Sequence, residues 1–326
     1  HYVDVGGRSP INDQCRALIE AIRADLLEHG IELPVYWGNR NWDPYLADTL
    51  QVMARDGIRR AAVFVTSAYA SYSGCRQYRE NLYHAASAVS AGTAIATPTP
   101  RLDKLRHYYN HPGFVQAFAD TTSDAIDRLP AEERDNARLV FVTHSIPLRM
   151  AVSAGPRGGA YVRQHESVAS LVGEEVSRRR GMVYEWDLVY CSRSGPPQVP
   201  WLEPDVNERL RSLSAASVEA AVVIPIGFVS DHMEVVYDLD TEAAATCEEL
   251  GMTYQRAAAP GVHPAFVGSV RELLLERAAA ERGESVARAA LGALGPSWDV
   301  CAAGCCPNPQ GSRPALCQDV PHEESA

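Results

Sequence analysis

No stretch of this sequence stays apolar over the roughly 18–20 residues that a membrane-spanning helix needs. Its start also lacks the basic-then-apolar pattern of a signal peptide. Basic residues are in the minority: 30 Lys and Arg stand against 41 Asp and Glu, a net charge of −11. That balance argues against a nucleic-acid partner, whose phosphates reward basic patches. Two nucleotide fingerprints are missing as well, since no G-x-G-x-x-G follows a candidate strand and no G-K-[ST] loop occurs. No internal repeat is evident. Cysteine is scarce over most of the chain, with only Cys15, Cys75, Cys191 and Cys247 before position 300. A small disulfide-stapled secreted domain would be shorter and would space its cysteines more evenly. The expectation is a reducing cytoplasm, with thiolates available for metal.

What is present is length and alternation. A chain of 326 residues suffices for a large core and for two domains. Apolar runs rich in β-branched residues predict buried parallel strands at 31–38 (IELPVYWG), 59–68 (RRAAVFVTSA), 137–145 (ARLVFVTHS), 184–192 (YEWDLVYCS) and 219–231 (EAAVVIPIGFVSD). Helical spacing of apolar residues predicts helices over 11–30, 43–57, 111–129 and 161–180. This alternation is that of an α/β architecture, with helices on both faces of a parallel sheet. Several of the strands run into polar loops: TSAYASYSGC, THSIP, CSRSGPP and GFVSDH. In open α/β sheets ligands collect at the carboxyl ends of strands, so chemistry is to be sought there. The tail from Pro307 to Ala326 holds Pro, Gly and Ser, ends acidic, and is expected to be flexible.

Four stretches offer candidate residues. In THSIP, His144 directly follows an apolar strand; with a pKa near neutrality it suits a general base or a metal ligand, or else it bonds a loop. In SDHMEVVYDLDTE, Glu234, Asp238 and Glu242 are spaced i, i+4, i+8, which stacks three carboxylates along one helix face. Stacked like charges need a cation, a proton relay or plain solvation, although acidic residues also favour a helix N-terminus. His232 beside them reads as structural. CSRSGPPQVPWLEPDV reads as a rigid loop with Arg193 as an anion contact, and SYSGCRQY offers tyrosines to a flat ligand or to ordinary packing. Finally, CAAGCC places Cys301, Cys305 and Cys306 within six positions. Adjacent Cys305 and Cys306 are strained as a mutual disulfide. With a fourth thiolate from Cys15, Cys75, Cys191, Cys247 or Cys317, the group suits structural zinc or a [2Fe–2S] cluster, while surface thiols with no ligand are the alternative.

Together THSIP, PIGFVSDHMEVVYDLD, SRSGPPQVPWLEPDV and the start HYVDVGGRSPIN resemble the ferrochelatases, most of all the actinobacterial coproporphyrin ferrochelatases, from His1 to about Cys306. The strand and Gly-Gly-Pro loop with which members open are expected upstream of His1. The resemblance implies a class II chelatase-like α/β fold of two Rossmann-like domains: 1–109 completed by 283–326, and 110–282. A porphyrin, coproporphyrin III or protoporphyrin IX, would lie in the cleft between them and receive Fe²⁺. The resemblance makes His144 the motif histidine and Glu234 the glutamate opposing it across the ring, with Asp238 and Glu242 on a partly π-type helix along the path of iron or protons. Ser9, Tyr78 and Tyr2 match porphyrin contacts, and Arg40 in GNRNWDP matches a G-x-R-x-x-x-P segment. The resemblance also implies a [2Fe–2S] cluster on Cys301, Cys305 and Cys306, with Cys75 as the fourth ligand and Cys191 as runner-up. It suggests transient contact with neighbouring haem-pathway enzymes. Cobalt or nickel loading of a sirohydrochlorin-like ring, and tetrapyrrole binding without turnover, are the competing readings.

Overall fold

The computed structural model describes residues 9–92 and 98–316. Tyr2 and Cys317 lie outside the described residues. The chain runs α1 (Ile11–Glu28), α2 (Leu46–Arg55), β1 (Arg60–Val63), a π-turn (Tyr72–Arg76), α3 (Gln77–Gly92) and β2 (Arg101–Lys104). It continues through α4 (Pro112–Asp127), β3 (Arg138–His144), α5 (Leu148–Val152), α6 (Ala160–Arg180), β4 (Trp186–Cys191), α7 (Val206–Ala215) and β5 (Ala220–Ile224). A composite helix follows, made of α8 (Met233–Val235), a π-helix (Val236–Ala243) and α9 (Ala244–Leu250); β6 (Thr253–Arg256) and α10 (Pro264–Glu281) complete it.

Among the described residues every strand pairing is parallel. The smaller sheet is β1–β2 and the larger is β4–β3–β5–β6. β3 is paired on both sides, and its core, Leu139 to Val142, is fully buried. Such a strand has no wet face, which is why it reads as an unbroken apolar run. Alternation along it still sorts the side chains. Leu139 and Phe141 pack with Phe114, Phe118, Val168 and Val172 of α4 and α6. Val140 and Val142 pack with Leu210 of α7 and Leu239 of the π-helix. Helices therefore cover both faces of the larger sheet. β1 and β2 have their own core with α2 and α3, built on Leu50, Met53, Leu82, Val89 and Leu102.

The N-termini of α4 and α10 are built alike. In each a His caps the first turn through Nδ1, accepting from Gly113 N and Ala265 N at 3.2 Å, and a Pro follows at the first helical position. The two ends touch so closely that a Cβ on Gly113 would lie 2.2 Å from the Ala265 carbonyl.

One expected strand does not form. IELPVYWG forms no strand and joins no sheet among the described residues. Pro34 has no N–H to give a ladder. Two of the segment's carbonyls are taken by side chains instead, Val35 O by Arg23 at 2.7 Å and Trp37 O by Thr49 at 2.7 Å. Of the expected strand at 59–68 only Arg60–Val63 pairs as a strand. β2 and β6 (RLDK and TYQR), by contrast, carry polar sequences that announce no strand. The segment beyond α10 packs back on the early part of the chain. Leu291 N bonds Asn110 O at 2.8 Å, Leu316 N bonds Arg79 O at 3.2 Å, and Asn308 bonds Glu80 at 2.9 Å.

Candidate active site

Three strand-end loops meet where β3 stops. Ser145, just beyond His144, bonds Cys191 O through its N–H at 2.8 Å and Leu202 O through its hydroxyl at 2.8 Å. Leu202 N returns a bond to Ile146 O at 3.1 Å, and Leu148 N bonds Pro200 O at 2.9 Å. The loop SRSGPPQVPWLEPDV is thus laced to THSIP. Its Arg193, expected as an anion contact, is turned onto its own loop, bonding Pro197 O and Val199 O at 3.2 and 3.4 Å. The PIGF turn closes the third side. A Cβ on Gly227 would sit 2.2 Å from Thr143 Oγ1, so only glycine allows this approach.

His144 is held by its own backbone. Its Nδ1–H donates to Ser145 O, which leaves Nε2 facing outward. Nε2 lies 3.7 Å from Glu234 Oε2, and the two side chains are 32% and 51% exposed. This corrects the expected opposition of the pair across a bound ring. At 3.7 Å no macrocycle fits between the two as they stand. Burial disfavours charge on His144, but the Glu234 carboxylate, with the Ser145 carbonyl and Asp238, outweighs it and raises the imidazole pKa. In return His144 holds the Glu234 carboxyl below its ordinary value, against the opposing effect of burial.

Glu234 is placed by the start of the composite helix. His232 caps it, its Nδ1 accepting from Glu234 N at 3.2 Å, and its ring meets Phe228 edge-on at 5.0 Å. Burial lowers the His232 pKa, in keeping with an acceptor role. The π-helix then carries Asp238 and Glu242. Its i→i+5 bonds put more than four residues in each turn, so side chains four apart stay nearly in file. Asp238 accepts a hydrogen bond from Ser192, which stands in the left-handed region at φ 59°. Burial raises the Asp238 pKa, and Glu234 adds to it; burial and the Asp238 charge likewise raise Glu242. The row is therefore graded, from an ionised carboxylate beside His144 to two that take protons more readily.

Beneath His144 lies a buried network the sequence does not signal. Tyr161 OH donates to His144 O at 2.8 Å, Thr143 Oγ1 meets His165 Nε2 at 2.9 Å, and His165 Nδ1 donates to Tyr161 O at 2.7 Å. The His165 ring stacks on Tyr69 at 3.6 Å. Burial pushes its pKa down to about 3. An unfolded chain protonates this residue near its ordinary pKa of about 6.5, and the folded one does not. The stability it contributes is thus complete above about pH 6.5 and declines as pH falls toward 3, by up to about 1.4 kcal/mol per unit. Urea unfolding between about pH 6.5 and 5 should show a loss of about 2 kcal/mol from this group, absent in His165→Gln.

Of the expected ring contacts, Arg40 and Tyr78 come together. The Arg40 guanidinium lies 4.4 Å above the Tyr78 ring and bonds Asn81 at 2.9 Å and Ser73 O at 3.3 Å. Ser73 in turn reaches Met150 Sδ at 3.9 Å, on the helix that follows the THSIP loop. Ser9 precedes Pro10, the N-cap of α1, and its hydroxyl accepts from Ile11 N at 3.4 Å.

The cysteines gather at a second place. Cys75, in the π-turn, is fully buried beside Cys301, and Cys301 lies against Cys305. Cys305 and Cys306 sulfurs are 3.8 Å apart, and Gly155 N–H donates to Cys306 Sγ at 3.1 Å. Fully buried Arg79 contacts Cys75 and lies near Cys301 and Cys305. Lys104, the only lysine of the chain, and His107 are buried alongside Cys75. Cys191 belongs to the other core, with Ser192 and Asp238 as neighbours. Among the described residues no three or more His, Cys, Asp or Glu side chains converge on a point that a single metal ion would occupy. No described helix is long and apolar enough to cross a membrane.

Comparison with known proteins places this geometry in a group. The structure resembles SirB from Bacillus subtilis with Fe³⁺, at a TM-score of 0.55 and 16% identity, over 83% of this chain and 91% of that one. It also resembles the cobalt complex of the sirohydrochlorin chelatase SirB from Bacillus subtilis subspecies spizizenii, at 0.54 and 14%, with the same coverage of 83% and 91%. The fold is that of the class II chelatases. In sequence the chain is 56% identical over 320 residues to coproporphyrin III ferrochelatase of Streptomyces coelicolor, covering 97% of this chain and 84% of that protein. It is 52% identical over 311 residues to the protein of that name from Frankia alni, covering 95% and 77%. To the ferrochelatase of Rhodopirellula baltica it is 46% identical over 307 residues, covering 94% and 82%. The family profile described as Ferrochelatase matches residues 1–278, and the chain belongs to the ferrochelatase family.

Proposed function

We propose that this protein inserts Fe²⁺ into coproporphyrin III, with His144 and Glu234 acting together on one face of the ring. The observation that carries the reading is the 3.7 Å pair at the end of β3, from which a file of carboxylates leads away. The names of its relatives support the substrate. A flat macrocycle points two N–H bonds inward and leaves a metal no approach. The site must pucker it, at the expense of binding energy gained elsewhere on the ring. Arg40 and Tyr78, with Ser9 and Tyr2, are the assigned ring contacts. His144 Nε2 takes a pyrrole proton, and Glu234 steadies the imidazolium that results. Insertion brings in one Fe²⁺ and releases two protons, so a row that passes cation inward and protons outward stays nearly balanced in charge. Asp238 and Glu242 suit that exchange, since burial makes them hold a proton more readily than exposed carboxylates do.

Cys75, Cys301, Cys305 and Cys306 are assigned to a [2Fe–2S] cluster. The fit rests on four buried thiols that neighbour one another in a chain, as two bridged irons require, rather than around a point. Buried Arg79 and Lys104 would balance the negative charge of a four-thiolate site. When bound, such a cluster supplies one-electron redox capacity and a cross-link. Cys75 would tie the returning C-terminal segment to the first of two Rossmann-like domains, 1–109 with 283–326, the second being 110–282. A cytoplasmic location suits such thiolates.

The test is spectral. Protein, Fe²⁺ and coproporphyrin III are mixed without oxygen, and the free-base bands should vanish over many turnovers. Protoporphyrin IX, with two vinyls in place of two propionates, should react with a kcat/KM lower by at least about tenfold. Stoichiometric bleaching, or preference for protoporphyrin IX, would contradict the assignment.

A further inference from the structure

We propose that Tyr254 and Arg256, two side chains of the edge strand β6, brace the acidic helix in its π register and so fix, for iron, where Asp238 and Glu242 stand about its axis relative to Glu234. The inference rests on the reading of that row as the metal path. A run of i→i+5 bonds is unusual, and most π segments are single-turn bulges. Here one extends over eight residues, Val236–Ala243, and needs support from outside the helix.

β6 supplies it. Residues two apart on a strand share a face. Tyr254 and Arg256 pair with Ala221 and Val223 of β5, whose side chains lie in the same core as Leu239 and Ala243 of the π-helix. Tyr254 OH donates to Leu239 O at 2.8 Å, a carbonyl that also receives a backbone N–H where the π segment ends. That second bond fixes the point at which the helix returns to α geometry. Arg256 holds two places at once. It bonds Asp240 on the π-helix, and it grips Asp231, ahead of the helix, through both carboxylate oxygens at 3.0 and 3.3 Å. Glu234 and Asp238 lie in the span between those two anchors. Asp231 is fixed in turn by Gln14 of α1, which accepts from Asp231 N at 2.7 Å. Within the helix, Thr241 Oγ1 bonds Val236 O at 3.4 Å, across the same five-residue step. Tyr254 and Arg256 are positioning residues. Released from them, the segment relaxes toward α geometry, in which side chains four apart still share a face but Asp238 and Glu242 swing to the other side of Glu234 about the helix axis.

The experiment uses the full chain with Tyr254→Phe, which removes one hydroxyl and keeps the ring, and with Arg256→Met and Arg256→Lys. Two readouts are taken: amide hydrogen exchange over 236–243, and apparent KM for iron and for porphyrin separately. Tyr254→Phe should speed exchange there by about fivefold and raise the iron KM by a similar factor, as loss of one hydrogen bond implies, with the porphyrin KM unmoved. Arg256→Met should do more, and Arg256→Lys should recover part of the loss. Unchanged exchange in Tyr254→Phe overturns the brace. Faster exchange with an unmoved iron KM overturns the metal-path reading beneath it, and equal rises in both KM values overturn the claim that the brace acts through the carboxylate row.

Discussion

Replacing His144 with alanine should lower the turnover of iron insertion by at least about a thousandfold, within the range that a positioned acid–base group supplies. Porphyrin affinity should change by no more than about threefold, since affinity rests on ring contacts elsewhere. The argument comes from how the imidazole is held. Its Nδ1 is committed to Ser145 O, so Nε2 is the one atom able to meet a pyrrole proton or the metal. Glu234 does not replace it. Contact with His144 is the largest influence holding the Glu234 carboxyl down, and without that partner burial acts to raise it, opposed by His232. The side chain is one-third exposed and its backbone carbonyl is fixed by Tyr161, so truncation leaves no buried cavity and the fold should survive. Turnover within tenfold of the native protein would remove His144 from the mechanism. A large loss of porphyrin binding would assign it to substrate binding instead.

On the proposed cluster assignment, Cys75→Ser should take bound iron from about two per chain to none, together with the visible absorbance of such a cluster. Serine keeps the shape of the π-turn and supplies a far poorer iron ligand. Cys75 is the only one of the four proposed ligands that precedes α10, so losing it would cut the proposed link between the turn and the chain's last described stretch. The segment would then be held by its hydrogen bonds to Arg76, Arg79, Glu80, Arg106 and Asn110 and by packing. Limited proteolysis should then cleave within 283–316 well before the remainder. Retention of iron and sulfide in Cys75→Ser, with loss in Cys191→Ser, would contradict the assignment. That outcome would also require a thiol packed beside Asp238 in a different core to reach the other three.

Much of the fold is legible in the sequence because burial on two faces leaves a plain mark. LVFV in β3 and AVVI in β5 are fully buried and apolar throughout. The smaller sheet is harder to read. β2 is RLDK, and its Asp103 is buried only because Arg60 and Arg277 meet it at 2.5 and 3.0 Å, partners distant in sequence. IELPVYWG errs the other way, since apolar content does not reveal that side chains have taken its carbonyls.

The site divides along the same line. His144 is visible as a polar residue at the end of an apolar strand, and the carboxylate row is visible in its spacing. That His144 and Glu234 lie side by side is not, because the relation depends on how three loops lock at the end of β3. The cysteine triplet is obvious, while its neighbours Arg79 and Lys104 carry no sign in the sequence that they are buried. Likewise nothing local in TYQR marks a strand whose side chains hold a helix.

The account depends most on that side-by-side pair. A crystal structure of the protein with metal-free coproporphyrin III tests it directly. The imidazole of His144 and the carboxylate of Glu234 should lie over the same face of a puckered ring, with Nε2 turned toward the pyrrole nitrogens. A ring seated between the two groups, or one bound away from both, would contradict it.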